Sequence, residues 1–290
     1  MMICNSSTIV NFLKHLVQVS ILFLSLPLWA YANLPTSSNV PGGVAIVPLG
    51  RVADISSPPK AWLGEQSILV AQDSNQWVAV VGLSLDILPG PQVLRVSIGD
   101  EMKTQNFMVK NKDYPQQNIV LKDNSKVQLS DVDMSRVEKE IAVIQNLKLH
   151  WRNTEDIDLA FIIPAKGRLA GRFGLRRFFN GEARSPHSGL DVAVASGTPI
   201  LASSSGNVLA TDDYFFNGRT VFMDHGNGLI TMYCHLDRID VKPGEVVKKG
   251  QKLGLSGKTG RATGPHLHWS IVLNGAMVDP ELFINVQHKH

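Results

Sequence analysis

The stretch His266-Leu267-His268-Trp269-Ser270-Ile271 alternates polar and apolar side chains, which is the pattern of a β-strand with one face in a core. Side chains two positions apart on a strand share a face, so both imidazoles point the same way, roughly 7 Å apart. Leu267, Trp269 and Ile271 face the opposite side. Two neutral imidazoles on one face can both bind a metal, or one can bind it while the other transfers protons. The alternation therefore predicts a β-strand that carries metal-binding or proton-transferring side chains on one face.

More short strands surround this stretch in the C-terminal half of the chain. The apolar or alternating segments are residues 208–211, 220–224, 229–235, 252–256 and 266–273. Gly226-Asn227-Gly228, between two of them, is a strong hairpin signal. No helical pattern is convincing here. We therefore predict a C-terminal domain over residues 161–290 that is mostly antiparallel sheet.

The N-terminal half also reads as strands separated by turns. The candidate strands are residues 44–47, 67–71, 77–83, 92–98, 105–109 and 118–121, with Pro-Gly and Asn/Asp-rich turns between them. This spacing predicts a small β-sandwich over residues 33–128. Nothing in it groups His, Asp or Glu for chemistry, so we expect a regulatory or binding domain.

Residues 129–160 are expected to form a helical linker between the two domains. Apolar residues recur there at spacings of three and four, the period of one helix face: Met134, Val137, Ile141, Ile144 and Leu147. Ser130 is a plausible N-cap, and Asp131 and Asp133 suit the first turn. The predicted fold class is therefore mostly β, with a β-sandwich, a connecting helix and an antiparallel sheet.

Composition excludes several classes of protein. With 44% hydrophobic and 18% charged residues, the 290-residue chain is not disordered, and two cysteines exclude a disulfide scaffold or a Cys-rich metal module. A net charge of +3 does not indicate nucleic acid as a partner. Residues 161–290, taken alone, are mildly basic.

Residues 1–32 have the pattern of a cleaved signal peptide. Lys14 precedes an apolar run of about 15 residues, too short to span a bilayer, and Ala30-Tyr31-Ala32 follows it. No cysteine follows the apolar run. We therefore expect an exported protein with no stable membrane anchor after cleavage, Cys234 as its only thiol and no intramolecular disulfide.

A second cluster, His187-Ser188-Gly189-Leu190-Asp191, offers another imidazole and a carboxylate. On a straight strand these two side chains would be roughly 13 Å apart, so a bend that Gly189 permits is needed to bring them together. Taken alone, a loop histidine beside an unrelated aspartate is the simpler interpretation. Combined with the His266/His268 pair, the cluster completes a ligand set suited to zinc, with a fourth position open as in catalytic sites.

His187-x-x-x-Asp191, followed some 75 residues later by His266-x-His268, resembles the lysostaphin/LytM-type zinc endopeptidases of bacterial cell walls. The resemblance covers roughly residues 161–279. It extends to four further motifs: Arg172-Phe173-Gly174, Asp224-His225-Gly226-Asn227-Gly228, Tyr233-Cys234-His235-Leu236 and Gly264-Pro265-His266-Leu267-His268. Cys234 stands where the family usually has a smaller residue, and we interpret it as a packing residue.

The resemblance implies that one zinc ion is held by His187, Asp191 and His268, and that His235 and His266 are the catalytic imidazoles. The implied function is hydrolysis of peptide cross-links of peptidoglycan through a metal-activated water. The implied partners are peptidoglycan stems and cross-links, and the implied place is the periplasm, with an extracellular or wall-associated place left open. His225 is assigned a structural hydrogen bond.

Two alternatives accompany this interpretation. The first is a non-catalytic, wall-binding regulator or activator of other cell-wall hydrolases, against which the five intact chemical positions argue. The second makes the N-terminal domain the main functional unit, which binds a partner. Family members with N-terminal extensions are often restrained by a domain that covers the active-site groove, so intramolecular inhibition is expected as well. The groove walls are expected at residues 178–181 and 212–216.

Overall fold

The computed structural model describes residues 34–55, 57–119, 130–179, 181–183 and 185–284. The predicted signal peptide, His288 and His290 lie outside these residues. Within them the chain forms nineteen strands, one α-helix and two 3-10 turns, at Val52–Asp54 and Pro280–Leu282. The predicted fold class is confirmed, since an N-terminal β domain, a helix and a C-terminal antiparallel sheet follow one another along the chain.

The N-terminal β domain is a single antiparallel sheet of six strands in the order β1-β4-β3-β2-β5-β6. All six strands contribute buried side chains to one core, so the sheet encloses its own apolar interior. Five of the strands follow the predicted segments, whereas the short β2 was not predicted. The strands are β1 Val44–Arg51, β2 Lys60–Leu63, β3 Gln66–Asp73, β4 Gln76–Gly82, β5 Gly90–Ile98 and β6 Glu101–Val109.

The C-terminal sheet has ten strands, of which seven follow the order β16-β13-β14-β15-β18-β11-β8, while β12, β17 and β19 pair beside this path. All of these strand pairs are antiparallel, as predicted. The strands are β8 Arg168–Gly171, β11 Leu190–Ala193, β12 Pro199–Leu201, β13 Gly206–Tyr214, β14 Gly218–Gly226, β15 Leu229–Ile239, β16 Val246–Val247, β17 Lys252–Ser256, β18 Leu267–Leu273 and β19 Ala276–Val278.

The β14–β15 hairpin is closed where the sequence predicts it. Asn227 and Gly228 form its two-residue turn with φ of 48° and 75°, the left-handed conformation that a tight hairpin requires. Asn227 also binds the linker through both side-chain atoms: Nδ2 donates to the Thr154 carbonyl and Oδ1 accepts from the Thr154 N–H. The hairpin turn thereby ties the chain that enters the C-terminal domain to the sheet.

The N-terminal β domain packs directly on the C-terminal sheet. Buried residues of β3 and β4, including Leu69 and Val80, share one core cluster with the fully buried Trp269 of β18. Asn274, in the β18–β19 turn, makes two hydrogen bonds with Gly82, donating to its carbonyl at 3.1 Å and accepting from its N–H at 2.7 Å. These contacts hold the β domain against the β18–β19 hairpin.

A further strand joins the two halves of the chain. β7 (Gln116–Ile119) pairs in parallel with β9 (Arg176–Phe179), which forms a short hairpin with β10 (Glu182–Ala183). The sequence assigns residues 118–121 to the N-terminal domain, but the strand here adds to the edge of a C-terminal hairpin. Its pairing depends on a partner some 60 residues away, which local pattern does not reveal.

The helix α1 (Asp131–Lys148) begins directly after the predicted N-cap Ser130 and ends at Lys148, so residues 149–160 of the predicted helical linker are not helical. The Ser130 hydroxyl caps it by accepting from the Asp133 N–H, a contact of the kind that contributes about 1 kcal/mol. Of the predicted apolar face, Val137 is buried and Ile144 and Leu147 are partly buried. No helix in the described ranges combines the length and the apolar character needed to cross a membrane.

Candidate active site

His187, Asp191 and His268 meet at one point of the C-terminal sheet. Asp191 on β11 lies directly opposite His268 on β18 in the strand register. Asp191 Oδ1 is 2.9 Å from His187 Nε2 and 2.8 Å from His268 Nδ1, and these two nitrogens are 3.0 Å apart. Elsewhere among the described residues, no other group of three or more His, Cys, Asp or Glu side chains converges in this way.

The bend that the His187–Asp191 spacing requires is present. His187 lies in the loop before β11, where its N–H donates to the Leu175 carbonyl and its own carbonyl accepts from Gly174. These two backbone hydrogen bonds turn the loop, so that the imidazole points back at Asp191 instead of continuing along the strand. The simpler interpretation, in which the histidine and the aspartate are unrelated, is therefore wrong.

Two glycines leave room for the ligand side chains. A Cβ at Gly171, opposite Asp191, would lie 2.4 Å from Asp191 Oδ2. A Cβ at Gly189 would lie 2.8 Å from His268 Cε1. Any side chain at either position would displace a ligand, which explains physically why glycine lies between His187 and Asp191 in the motif.

His235 and His266 lie beside the three ligands. The ring centroids of His235 and His266 are 4.7 Å apart, and His266 Nε2 is 3.8 Å from Asp191 Oδ1. His235 Nδ1 is 2.9 Å from the Thr259 carbonyl, and His266 Nδ1 is 2.8 Å from the Gly264 carbonyl. A carbonyl only accepts, so each Nδ1 carries the proton and each neutral ring keeps a free lone pair on Nε2.

Burial sets the charges of the site. Burial lowers the pKa of His235 to about 4, and it also lowers the pKa of His268. Burial by itself raises the pKa of the Asp191 carboxyl, but hydrogen bonds from His187 and His268 outweigh it and hold that pKa far below its usual value. At neutral pH Asp191 is therefore ionised and His268 is neutral, the protonation states that a metal cation needs in its ligands.

Cys234 and His225 have structural roles instead. Cys234 is fully buried in an apolar cluster, and burial raises the pKa of its thiol to about 12, so it stays protonated. His225 is also buried, with Nδ1 2.7 Å from the Ser205 carbonyl and Nε2 2.8 Å from Thr231 Oγ1. The predicted packing role of Cys234 and the predicted structural hydrogen bond of His225 are confirmed.

Sequence reasoning did not predict that α1 lies next to the site. The helix forms one wall of a cavity of about 360 Å³ whose opposite wall includes Phe216, His268 and Ser270. Glu140 Oε2 accepts from the Phe215 N–H at 2.7 Å, which anchors the helix to the turn between β13 and β14. Within the predicted groove wall 212–216, Tyr214 and Phe216 also line this cavity. In the other predicted wall, Asn180 lies outside the described residues.

Two imidazoles and a carboxylate that converge on one point, with two further imidazoles beside them, are the arrangement of a metal-dependent hydrolase. Residues 185–280 match the Peptidase family M23, and residues 37–112 match the Peptidase family M23 N-terminal domain. The chain belongs to peptidase family M23.

Individual relatives agree with this membership. One is a Pseudomonas aeruginosa protein whose crystal structure is assigned to peptidase M23. Its sequence is 40% identical to this chain, the TM-score is 0.72, and the match covers 85% of this chain and 95% of that one. Two Vibrio cholerae proteins are also similar. Peptidoglycan DD-endopeptidase ShyA is 36% identical over 54% of this chain and 37% of its own length. Peptidoglycan DD-endopeptidase ShyC is 43% identical over 39% of this chain and 26% of its own length.

Proposed function

We propose that this protein is a zinc-dependent endopeptidase that hydrolyses peptide cross-links of bacterial peptidoglycan. The observation that carries the proposal is the convergence of His187, Asp191 and His268 beside two further imidazoles. The names of the similar proteins ShyA and ShyC, both peptidoglycan DD-endopeptidases, support peptidoglycan as the substrate. The basic residues of the C-terminal half are consistent with an anionic wall polymer.

The donor set fits zinc in its chemistry. Imidazole nitrogen and carboxylate oxygen are ligands that zinc accepts, and three protein ligands are the number found at catalytic rather than structural zinc sites. His187, Asp191 and His268 would hold the ion. Gly171 and Gly189 lie so close to Asp191 and His268 that neither position could carry a side chain without displacing a ligand. A bound zinc ion would act as a Lewis acid and lower the pKa of water towards about 7.

His266 and His235 are proposed to accept the proton of the attacking water and to return a proton to the leaving amine. Both are fixed by backbone carbonyls with Nε2 free to accept, so neither has to change its hydrogen bond before it takes a proton from the attacking water. The same two imidazoles can then donate hydrogen bonds to the developing oxyanion and return a proton to the leaving amine. The depressed pKa of His235 keeps that ring neutral at neutral pH, with the lone pair of Nε2 available.

Digestion of purified sacculi tests the proposal. We expect the zinc-loaded protein, without residues 1–32, to release peptide-containing fragments that mass spectrometry identifies as products of cross-link cleavage. A chelator should abolish the release, and added zinc should restore it. If the zinc-loaded protein releases no fragments even after α1 has been detached from the cavity wall, the proposed enzymatic function is wrong.

We also propose that the segment before the C-terminal domain restrains the site. An extended peptide lying along the sheet beside His268 needs the space that α1 fills. Arg136 Nη2 donates to the Asp213 carbonyl at 2.8 Å, and with the Glu140 contact it holds the helix on the β13–β14 turn. Met134 and Ile141 on the same helix remain about half exposed, which limits the apolar contact that holds the helix in place.

An Arg136→Ala/Glu140→Ala double variant is expected to digest sacculi about 3- to 10-fold faster than the wild type. The two anchors are exposed or partly exposed, so their loss should weaken the docking of the helix only modestly and raise the open population by a small factor. Lys139→Ala, an exposed change on the same helix, is the matched control and should leave the rate unchanged. An equal or lower rate in the double variant, with normal zinc content, would contradict the restraint.

The place of action and the domain limits are proposals as well. We propose that residues 1–32 direct export to the periplasm and are then removed, and that residues 33–128, 129–160 and 161–290 form the regulatory domain, the helical linker and the peptidase domain. The Ala30-Tyr31-Ala32 motif supports the cleavage site. Intact-mass measurement of the protein recovered from the periplasm tests this, because it should begin at Asn33.

A further inference from the structure

Ser270 is the side-chain partner of His268. It lies two residues further along β18, on the same face of the strand, and it is fully buried. Its Oγ is 2.9 Å from His268 Nε2. On the other side of the ring, His268 Nδ1 faces Asp191 Oδ1 at 2.8 Å and His187 Nε2 at 3.0 Å. The ring is thus held between the proposed zinc ligands and a buried hydroxyl.

A metal ion on Nδ1 would fix the proton position of His268. An imidazole nitrogen that binds a cation carries no proton, so a neutral His268 that presents Nδ1 to the ion carries its proton on Nε2. That N–H needs an acceptor inside the protein, and the Ser270 hydroxyl oxygen is at hydrogen-bond distance. A Cβ at Gly189 would lie 2.5 Å from Ser270 Oγ, so the Gly189 backbone closes over the hydroxyl.

The other three imidazoles of the site are held differently. His187 Nδ1 is 2.9 Å from the Arg172 carbonyl, and His235 and His266 are held by the carbonyls of Thr259 and Gly264. Backbone carbonyls are present whatever the side chain. Among these four described rings, His268 is therefore the one whose outer hydrogen bond depends on the identity of a residue.

We propose that Ser270 is a positioning residue of the metal centre, which orients His268 and fixes its Nε2–H form so that Nδ1 binds zinc. The inference rests on the proposed zinc site and adds a determinant of its affinity. Loss of such an outer hydrogen bond to a histidine ligand weakens metal binding about 10- to 100-fold. Ser270→Ala removes only the hydroxyl group and leaves a gap no larger than one oxygen atom. The packing of the strand around Trp269 is therefore preserved.

The test is the zinc dissociation constant of the whole chain lacking residues 1–32, measured by competition with a chromophoric chelator. We expect Ser270→Ala to raise the constant about 10- to 100-fold. Ser256→Ala is the matched control, because Ser256 is also a fully buried strand serine but donates to the Ala195 carbonyl, and its constant should stay within about twofold of the wild type. Equal constants for Ser270→Ala and the wild type would overturn the positioning role.

Nitrogen-15 NMR of the histidine rings gives a second reading that does not depend on the variant's folding. In the zinc-loaded wild type, His268 should show its proton on Nε2 and the metal at Nδ1. A proton on Nδ1 of His268 in that spectrum would overturn the role. A wild-type protein that binds no zinc at all would instead overturn the metal centre proposed above, so the two failures are distinguishable.

Discussion

An Asp191→Asn variant should lose both zinc and peptidase activity while keeping its fold. Asp191 is the only charged member of the ligand set, and its Oδ1 is the atom that both ligand imidazoles approach. Asparagine keeps the shape of the side chain but removes the negative charge that attracts the cation. We expect zinc binding to weaken by more than about 100-fold, since loss of an outer partner alone costs 10- to 100-fold.

The peptidase activity of Asp191→Asn should fall by at least about 10³-fold. A bound metal ion contributes several kcal/mol to stabilisation of the transition state, and each 1.36 kcal/mol is a factor of ten in rate. Metal content by atomic spectroscopy and sacculus digestion measure the two effects. Asp240→Asn is the matched control. Asp240 pairs with Arg238 and Lys252 on the same domain, away from the ligands, so zinc and activity should be retained. An active, zinc-loaded Asp191→Asn protein would show that the metal centre is assigned to the wrong residues.

A His235→Asn variant should keep zinc and lose turnover. His235 has a φ of 63°, a left-handed conformation that asparagine adopts more easily than alanine, so this substitution preserves the backbone. The side chain is not among the three ligands, and its loss removes a proton acceptor. We expect kcat to fall about 10²- to 10⁴-fold, the usual contribution of a general acid or base.

The matched control for His235→Asn is His150→Asn. His150 is a partly exposed histidine near Asp224, and its replacement should leave kcat unchanged. Zinc content should equal that of the wild type in both variants, which separates loss of proton transfer from loss of the ion. Full activity of His235→Asn on muropeptides would remove His235 from the mechanism.

The fold was largely predictable because its signals are local. Alternating residues mark β18, the Asn227-Gly228 turn requires left-handed φ values, and the Ser130 cap with Asp133 begins α1. The missed features depend on distant partners. β7 is a strand only because β9 is beside it, and the position of α1 is set by contacts with the β13–β14 turn. Three of the five residues on the predicted apolar face of α1, Val137, Ile141 and Ile144, line a cavity.

The sequence predicts which residues meet in the C-terminal sheet, but it does not predict which atoms of their side chains face one another. The pairing of β11 with β18 brings Asp191 opposite His268, a relation that spans 77 positions and follows from strand register. Which nitrogen of each ring faces the centre depends on the hydrogen bonds of the other nitrogen, and three of those bonds go to backbone carbonyls that any sequence has. The fourth, from His268 to Ser270, looks in the sequence like ordinary strand alternation.

The proposal that these residues form a zinc peptidase for peptidoglycan cross-links is tested most directly on a purified, cross-linked muropeptide dimer. The measurement is the mass spectrum of that dimer after incubation with the zinc-loaded Arg136→Ala/Glu140→Ala protein. Conversion of the dimer into two monomeric muropeptides, with the gain of a single water and sensitivity to chelator, is the predicted result. A dimer that remains intact at equimolar protein would contradict the proposal.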